Sequence, residues 1–110
     1  MISDDILEKA LDYLRDTSET TASARANRLY LEDYSRVLKA TIMSEHLAEP
    51  VNAQERYAYA DIRYKNHLEG LKQAIFDDER NRFLREAAAI KIEVWRSQQA
   101  NLRAEGKAYS

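Results

Sequence analysis

Two histidines and a run of carboxylates are the residues in this chain whose types could support metal binding or acid–base chemistry. His46 and His67 are the only histidines among the 110 residues, and there is no cysteine. Neither histidine has a partner at the His-x-x-x-His or Glu-x-x-His spacing that places two donors on one helix face. The spacing therefore predicts two solvated helix histidines.

The acidic run formed by Asp77, Asp78 and Glu79 is the second candidate. A helix directs three successive side chains to different faces, so these carboxylates cannot converge on one ion without help from elsewhere. Arg80 and Arg82 follow at once, which favours an exposed, salt-bridged segment. Glycine-rich phosphate loops and nucleophile elbows are absent from the sequence. We therefore predict a non-enzyme without catalytic, metal-binding or cofactor-binding residues.

Charge is distributed unevenly along the chain, although the formal net charge is only −2. Residues 1–20 carry six acids and two bases, whereas residues 80–110 carry seven bases and three acids. One interpretation is matching to helix dipoles and ordinary surface charge. The alternatives are head-to-tail self-association and a basic patch for phosphate.

The bases of the last third form a candidate nucleic-acid-binding strip. Arg85, Arg96 and Arg103 recur at intervals of 11 and then 7 residues, which keeps them roughly on one side of a helix, with Arg82 and Lys91 off that line. Cations in such a strip can contact phosphates without reading bases. We predict that these five residues contact single-stranded DNA.

Trp95, the only tryptophan, could serve either packing or recognition. It is one position past Val94, which lies on the main apolar stripe of the last helix, and it could share a second apolar face with Ile92 and Leu102. We predict that Trp95 packs against the first helix or against a second copy of the chain. The alternative is a platform on which an unpaired base stacks.

Helices must position all of these groups, because turn-forming residues are scarce. The chain has two glycines and one proline, and 33% of its residues are charged. A many-stranded sheet has too few turn residues to reverse direction, while abundant Ala, Glu, Arg and Leu favour long helices. A chain of this length forms at most one domain.

The apolar spacing predicts three main helices. The first spans residues 3–16 with Ser3 as N-cap, and the second runs from about residue 19 to Ala48 with Thr17 or Ser18 as its cap. The second helix has its main stripe at Leu31, Tyr34, Leu38 and Ile42.

A corner and a long last helix follow. The corner, residues 49–64, contains a short helix over residues 53–60, with Asn52 as its cap and Glu55 completing a capping box, and Asp61 can cap again. The last helix runs from about residue 62 to Glu105, with a weaker pattern at 77–82 and Gly106 at its C-cap. Its main stripe is Tyr64, Leu68, Leu71, Ile75, Phe83, Ala87, Ile90 and Val94.

The predicted fold is all-α: a long antiparallel helical hairpin with a short N-terminal helix laid against it. We expect a single helical domain over residues 1–105 and a flexible tail over residues 106–110. Helices this long leave apolar surface along their sides, which predicts a homo-oligomer with coiled-coil-like contacts. The start of the chain lacks a basic region and an apolar run, so we expect a cytoplasmic protein without membrane contact.

Three segments give the chain a resemblance to a known group of proteins: "DDILEKALDYLRDT", "NAQERYAYADIRYKNHLEGLKQA" and "IEVWRSQQANLRAEG". Taken whole, the sequence resembles small all-helical proteins of tailed bacteriophages that are encoded beside recombination genes. Its layout is also similar, more faintly, to phage recombination mediators. That resemblance implies an oligomeric protein in the cytoplasm of a bacterial host, which binds single-stranded DNA and helps to load a recombinase.

Three functions are therefore expected as alternatives. The first is a phage-type DNA recombination accessory that binds single-stranded DNA, a recombination partner or both. The second is an inhibitor or adaptor that acts by protein–protein contact on a host nuclease or defence protein, which the acidic first 20 residues and the small size suit. The third is a structural coiled-coil assembly unit.

Overall fold

The computed structural model describes the backbone of residues 1–109 and the side chains of residues 1–107. The described residues form four α-helices and no strand: α1 (Asp4–Asp16), α2 (Ser18–Ser44), α3 (Val51–Ala60) and α4 (Ile62–Tyr109). The prediction of an all-α hairpin with a short first helix is confirmed. Contacts divide the chain into two compact units. Unit 1 contains Met1–Thr21 and the chain from Arg80 onward, and unit 2 is Ala22–Glu79.

Helix α1 begins where the capping pattern predicts. The Ser3 hydroxyl accepts a hydrogen bond from the backbone N–H of Ile6 at 3.2 Å, which satisfies one of the unpaired donors of the first turn. Asp4 and Asp5 occupy that turn, where the helix dipole favours negative charge.

Only Thr17 separates α1 from α2. The prediction that Thr17 or Ser18 caps α2 is wrong, because both hydroxyls bond backwards to α1. The Thr17 hydroxyl donates to the carbonyl of Tyr13 at 2.6 Å, and the Ser18 hydroxyl donates to the carbonyl of Leu14 at 2.8 Å. These bonds satisfy carbonyls at the end of α1 and leave a very short break between the helices.

Helix α2 ends at Ser44, four residues earlier than predicted, and residues 45–48 form turns. Its stripe forms the centre of unit 2, as the spacing predicts. Leu38 and Ile42 are buried together with Ala58 of α3, and Met43 and Tyr64 pack against them. Ile42 is fully buried.

The start of α3 differs from the prediction. Pro50 precedes the first helical residue, Val51, and makes no side-chain cap. The capping box at Asn52 and Glu55 is wrong, because the chain is already helical there and the fixed φ of proline suits a helix start. Asp61 does act as a cap: its carboxylate accepts from the backbone N–H of Arg63 at 2.7 Å.

Helix α4 is continuous through residues 77–82, where the sequence pattern weakens, and continues past Gly106. No described residue has a positive φ, so Gly106 does not form the predicted C-cap. The helix therefore extends beyond Glu105, to Tyr109. The predicted tail ends at Ser110, which lies outside the described residues.

Each unit contains an antiparallel helix pairing. In unit 1 the backbone N–H of Ile2 donates to Gln98 at 2.9 Å, whereas Leu14, further along the chain, bonds Arg85. In unit 2, Arg28 bonds Asp78 while Ser35 contacts His67. In both units, residues later in the opposing segment contact residues earlier in α4. The paired helices are therefore antiparallel, as predicted.

Candidate interaction surface

Trp95 packs against the first helix of unit 1, as predicted. Its indole N–H donates to the carboxylate of Asp4 in the first turn of α1, with 3.2 Å between Nε1 and Oδ1. The side chain is half-buried. A tryptophan with its ring against a helix and its N–H on a partner is typical of packing at an interface between elements.

Arg85 joins α4 to the end of α1, at the opposite end of the contact from Trp95. Its Nη1 atom donates to the carbonyl of Leu14 and to the hydroxyl of Thr17, both at 2.9 Å. The side chain is half-buried. These contacts use the guanidinium within the protein, so the structure places Arg85 apart from the exposed cations of α4. Its predicted role at a phosphate stays a prediction.

The other four members of the predicted strip are exposed on α4. Arg96 pairs with Glu93 at 3.3 Å, and Arg82 lies 3.9 Å from Glu86. Neither Lys91 nor Arg103 forms an ion pair with any residue that the structure describes. In a regular helix Lys91 is about 120° from Arg85, so it lies on a different side from Arg96 and Arg103. The strip is therefore not one continuous basic surface.

Folding also brings the acidic and basic ends of the chain into the same unit. Unit 1 combines acidic α1 with the basic second half of α4, and its residues include nine acids and nine bases. The unit therefore has no formal net charge. A neutral unit attracts a polyanion less than the net charge of residues 80–110 alone implies.

Two small residues are buried in unit 1, one on α1 and one on α4. Ala10 of α1 and Ala88 of α4 are both 5% exposed. The bond between Trp95 and Asp4 lies on one side of this pair along the helices, and the bond between Arg85 and Leu14 lies on the other. The half-buried Ile92 belongs to the same face.

The main apolar stripe of α4 does not face this core. Phe83 is 58% exposed, Ile90 is 62% exposed and Val94 is 39% exposed, and Ala87 between them is also exposed. We name these four residues the α4 seam. They lie between about 140° and 200° around the helix from Arg85, on the side away from α1. The prediction that these residues form a core stripe is wrong for unit 1. The face of α4 that contains Ile92 and Trp95 packs against α1 instead.

In unit 2, the acidic run is used for a contact between helices. Arg28 of α2 donates to Asp78 at 3.2 Å and to Glu79 at 3.0 Å, and it also pairs with Glu32 at 3.0 Å. The hydrogen bonds that Arg28 donates to Glu32 and Glu79 raise the pKa of Arg28. The predicted salt-bridged segment is thus present, but Asp78 and Glu79 bond to α2 and are partly buried. Asp77 is exposed and accepts a hydrogen bond from Gln73 of its own helix.

Both histidines of unit 2 are half-buried, so the prediction of two solvated helix histidines is wrong. His46 lies in the turn after α2 and stacks on Tyr57, with 4.1 Å between ring centroids. His67 Nε2 lies 2.7 Å from the Ser35 hydroxyl, and its ring contacts Tyr34. The sequence signal that could have shown this is the abundance of tyrosines near both histidines.

A network of ion pairs holds the corner of unit 2. Arg63 donates two hydrogen bonds to Glu45, at 2.7 and 2.9 Å. It also forms an ion pair with Asp61, at 2.9 Å. The hydrogen bonds from Arg63 lower the pKa of both carboxyls. This pairing ties the turn after α2 to the start of α4.

One pocket, of about 310 Å³, lies at the corner of unit 2 and is lined by Glu49, Ala53, Arg56, Tyr57 and Ala60. Its charged groups are one carboxylate and one guanidinium, with no Ser, Thr or His in the lining to act as a nucleophile and its base. Among the residues that the structure describes, no three His, Asp or Glu side chains converge closely enough to hold a metal ion. None of the described helices combines the length and the apolar character needed to cross a membrane.

The α4 seam is therefore an exposed line of apolar side chains at helical spacing on unit 1, and the centroid of its Phe83 ring lies 5.0 Å from Cζ of Arg82 in the same helix. Its members are separated by intervals of four, three and four residues, which is the spacing of helix-to-helix contacts. Comparison with known proteins gives no further guide, because no protein-family model, curated protein or solved structure matches the chain.

Proposed function

We propose that this chain is a non-enzymatic interaction module that works by protein–protein contact through its apolar helix faces. The observation that carries this proposal is the α4 seam, in which Phe83 and Ile90 are about 60% exposed at helical spacing. Contiguous exposed apolar side chains rimmed by charged residues mark contact sites in soluble proteins. An adaptor or inhibitor of another protein is the function class that this arrangement favours.

The charge distribution supports the same proposal. The basic third of the chain lies in one unit with the acidic first helix, and the unit has equal numbers of acids and bases. Arg85 is engaged by α1. Apolar area therefore offers unit 1 a stronger contribution to binding than its net charge does.

A paired-variant retention experiment tests the proposal. Immobilised wild-type chain is compared with the double variant Phe83→Gln, Ile90→Gln in a lysate of the cells that express it. The matched control is Leu11→Gln, Leu102→Gln, which removes exposed leucines of similar exposure outside the seam. We expect one stoichiometric protein, either another copy of this chain or a different protein, on wild type and on the control but not on the seam variant. Equal retention by all three chains, or by none, contradicts the proposal.

Single-stranded DNA binding is the second candidate, as part of a phage-type recombination accessory. It is favoured by Lys91 and Arg103, which are exposed and form no ion pair with any described residue, and by the exposed Arg96, which pairs with Glu93 three positions earlier. Exposed cations of this kind can neutralise phosphates.

A fluorescent oligonucleotide titration at low and moderate salt tests this candidate. We expect binding at micromolar protein that weakens with salt and is reduced by Arg96→Ala with Arg103→Ala. The absence of binding at micromolar protein, or binding that those substitutions leave unchanged, rules out the DNA role. It leaves the protein-contact proposal standing.

A further inference from the structure

We infer that the α4 seam pairs with the same seam of a second copy of this chain, with the two α4 helices parallel and in register. The inference rests on the proposed function, because it names the partner of a surface proposed to bind protein.

The seam continues along α4 as a heptad repeat. With Ala87 at position a of the heptad, the a positions are Ala87, Val94 and Asn101, and the d positions are Phe83, Ile90, Ser97 and Ala104. All seven residues are exposed. Positions a and d spaced in this way form the contact line of a two-stranded coiled coil. The line covers about 32 Å of helix at 1.5 Å per residue.

Charge at the margins of the seam favours the parallel orientation. Glu86 lies at position g and Lys91 at position e of the following heptad. In a parallel pair, g of one chain lies beside e of the other chain five residues later, so Glu86 meets Lys91 twice across the interface. Lys91 has no ion pair within the described chain, and Glu86 lies only at the long distance of 3.9 Å from Arg82.

The antiparallel orientation has the opposite charge pattern. There the g positions of the two chains face each other, which places Glu86 of one copy beside Glu93 of the other, twice per pair. Like charges at this separation are destabilising. The same seam can therefore pair with itself favourably in one of the two directions.

Asn101 at an a position agrees with a parallel pair. A polar asparagine at one a position of a parallel dimer fixes register and strand number at a cost in stability, because each asparagine finds its hydrogen-bond partner in the other copy. The side chain of Asn101 is exposed in the single chain. The other a positions hold Ala87 and the β-branched Val94, a residue type that favours two strands at position a.

Cysteine cross-linking tests the inference directly, because the natural chain has no cysteine. Ala87→Cys introduces one thiol in the seam, and Ala89→Cys introduces one on another exposed side of the same helix. In a parallel, in-register pair the two copies of position 87 face each other, so mild oxidation joins them. We expect Ala87→Cys to become mostly disulfide-linked dimer and Ala89→Cys to remain mostly single chain.

Charge exchange provides the second measurement. Lys91→Glu places glutamates opposite Glu86 in both copies, and we expect dimerisation to weaken roughly tenfold. A mixture of Lys91→Glu with Glu86→Lys forms heterodimers with restored pairs, and we expect these to dominate over either homodimer.

Each outcome decides the inference. Equal cross-linking of the two cysteine variants, a dimer mass without Ala87→Cys cross-linking, or a single-chain mass at all concentrations overturns the parallel pair. A single-chain mass together with seam-dependent retention of a lysate protein overturns this inference alone and leaves the proposed function intact. A single-chain mass without such retention overturns both.

Discussion

Arg85 lies half-buried between α1 and α4, where its guanidinium bonds the carbonyl of Leu14 and the hydroxyl of Thr17. Carbonyls at the end of a helix lack the partners that the next turn would supply. A charged donor at this place joins α1 to α4 and satisfies such a carbonyl. Arg96, by contrast, is exposed and pairs with Glu93 of its own helix.

This contrast predicts different costs for two similar substitutions. Arg85→Met should lower the free energy of unfolding by about 1–2 kcal/mol, because it removes two hydrogen bonds from a charged donor. Arg96→Met, which also removes one arginine from α4, should change it by less than about 0.5 kcal/mol. Urea unfolding followed by circular dichroism measures both. Equal losses would show that Arg85 does not join the helices.

The carboxyls of Glu45 and Asp61 predict a pH dependence of stability at the corner. Hydrogen bonds from Arg63 lower the pKa of both below their ordinary values of 4.5 and 3.8. A group whose pKa is lowered by folding contributes stability above its unfolded pKa and loses it as the pH falls through the folded pKa. The contribution should therefore be complete near neutral pH and decline below about pH 4.5.

Arg63→Gln removes this contribution, so the difference in unfolding free energy between wild type and variant should shrink as the pH falls from 7 to 3. Urea titrations at several pH values measure the difference. Arg36→Gln, at an exposed arginine of α2, controls for the loss of one positive charge. A wild-type advantage that stays constant down to pH 3 would contradict the role given to the two carboxyls.

At the scale of the helix, α4 carries two apolar faces in its second half, and only one of them meets α1. The face with Ala88, Ile92 and Trp95 is used within the unit, while the α4 seam is exposed. Alanines at 10 and 88 allow the helices to approach closely, and Trp95 and Arg85 bond to α1 on either side of them.

The packing of Ala88 can be tested by overfilling it. Ala88→Leu adds volume to a position that is 5% exposed, and we expect a loss of about 1–3 kcal/mol in unfolding free energy. Ala89→Leu makes the same chemical change at the adjacent exposed position and should stay within about 0.5 kcal/mol of wild type. Thermal or urea unfolding provides the comparison. An unchanged free energy of unfolding in Ala88→Leu would show that α1 does not pack closely against this position.

The sequence predicted correctly those features that depend on residues within one helix. The spacing of Leu38 and Ile42, the cap at Ser3 and the scarcity of turn residues are local signals, and each corresponds to a feature of the fold. The choice between the two apolar faces of α4 is not local, because both have helical spacing. Each face carries an alanine among large side chains, and α1 packs on the face that includes Ala88, Ile92 and Trp95.

The predicted cap at Thr17 or Ser18 was wrong because the capping pattern shows one helix at a time. The hydroxyls at 17 and 18 have two helix ends within reach, and only the folded geometry shows that they bond to α1. The basic strip was predicted from positions along one helix. In the structure Arg85 donates hydrogen bonds to Leu14 of α1 and to Thr17 after it. Lys91 lies on another side of the helix from Arg96. The site depends on which element covers which face, and a single sequence does not specify that.

At the scale of the whole molecule, the acidic beginning and the basic end of the chain belong to the same unit, where acids and bases are equal in number. The separation of charge along the sequence therefore supports contact between α1 and α4 within one chain. The α4 seam is an apolar surface that unit 1 leaves exposed, with Glu86 and Lys91 at its margins. This arrangement favours a second helix over a nucleic acid.

Sedimentation equilibrium over a range of concentrations tests most directly whether the α4 seam joins two chains. We expect a mass that rises from that of one chain, 12.8 kDa, toward twice this value. Ile90→Glu should keep the single-chain mass, while Ala89→Glu should behave as wild type. A wild-type protein that keeps the mass of one chain at every concentration would contradict pairing through the α4 seam. A dimer mass that the Ile90→Glu substitution leaves unchanged would contradict it as well.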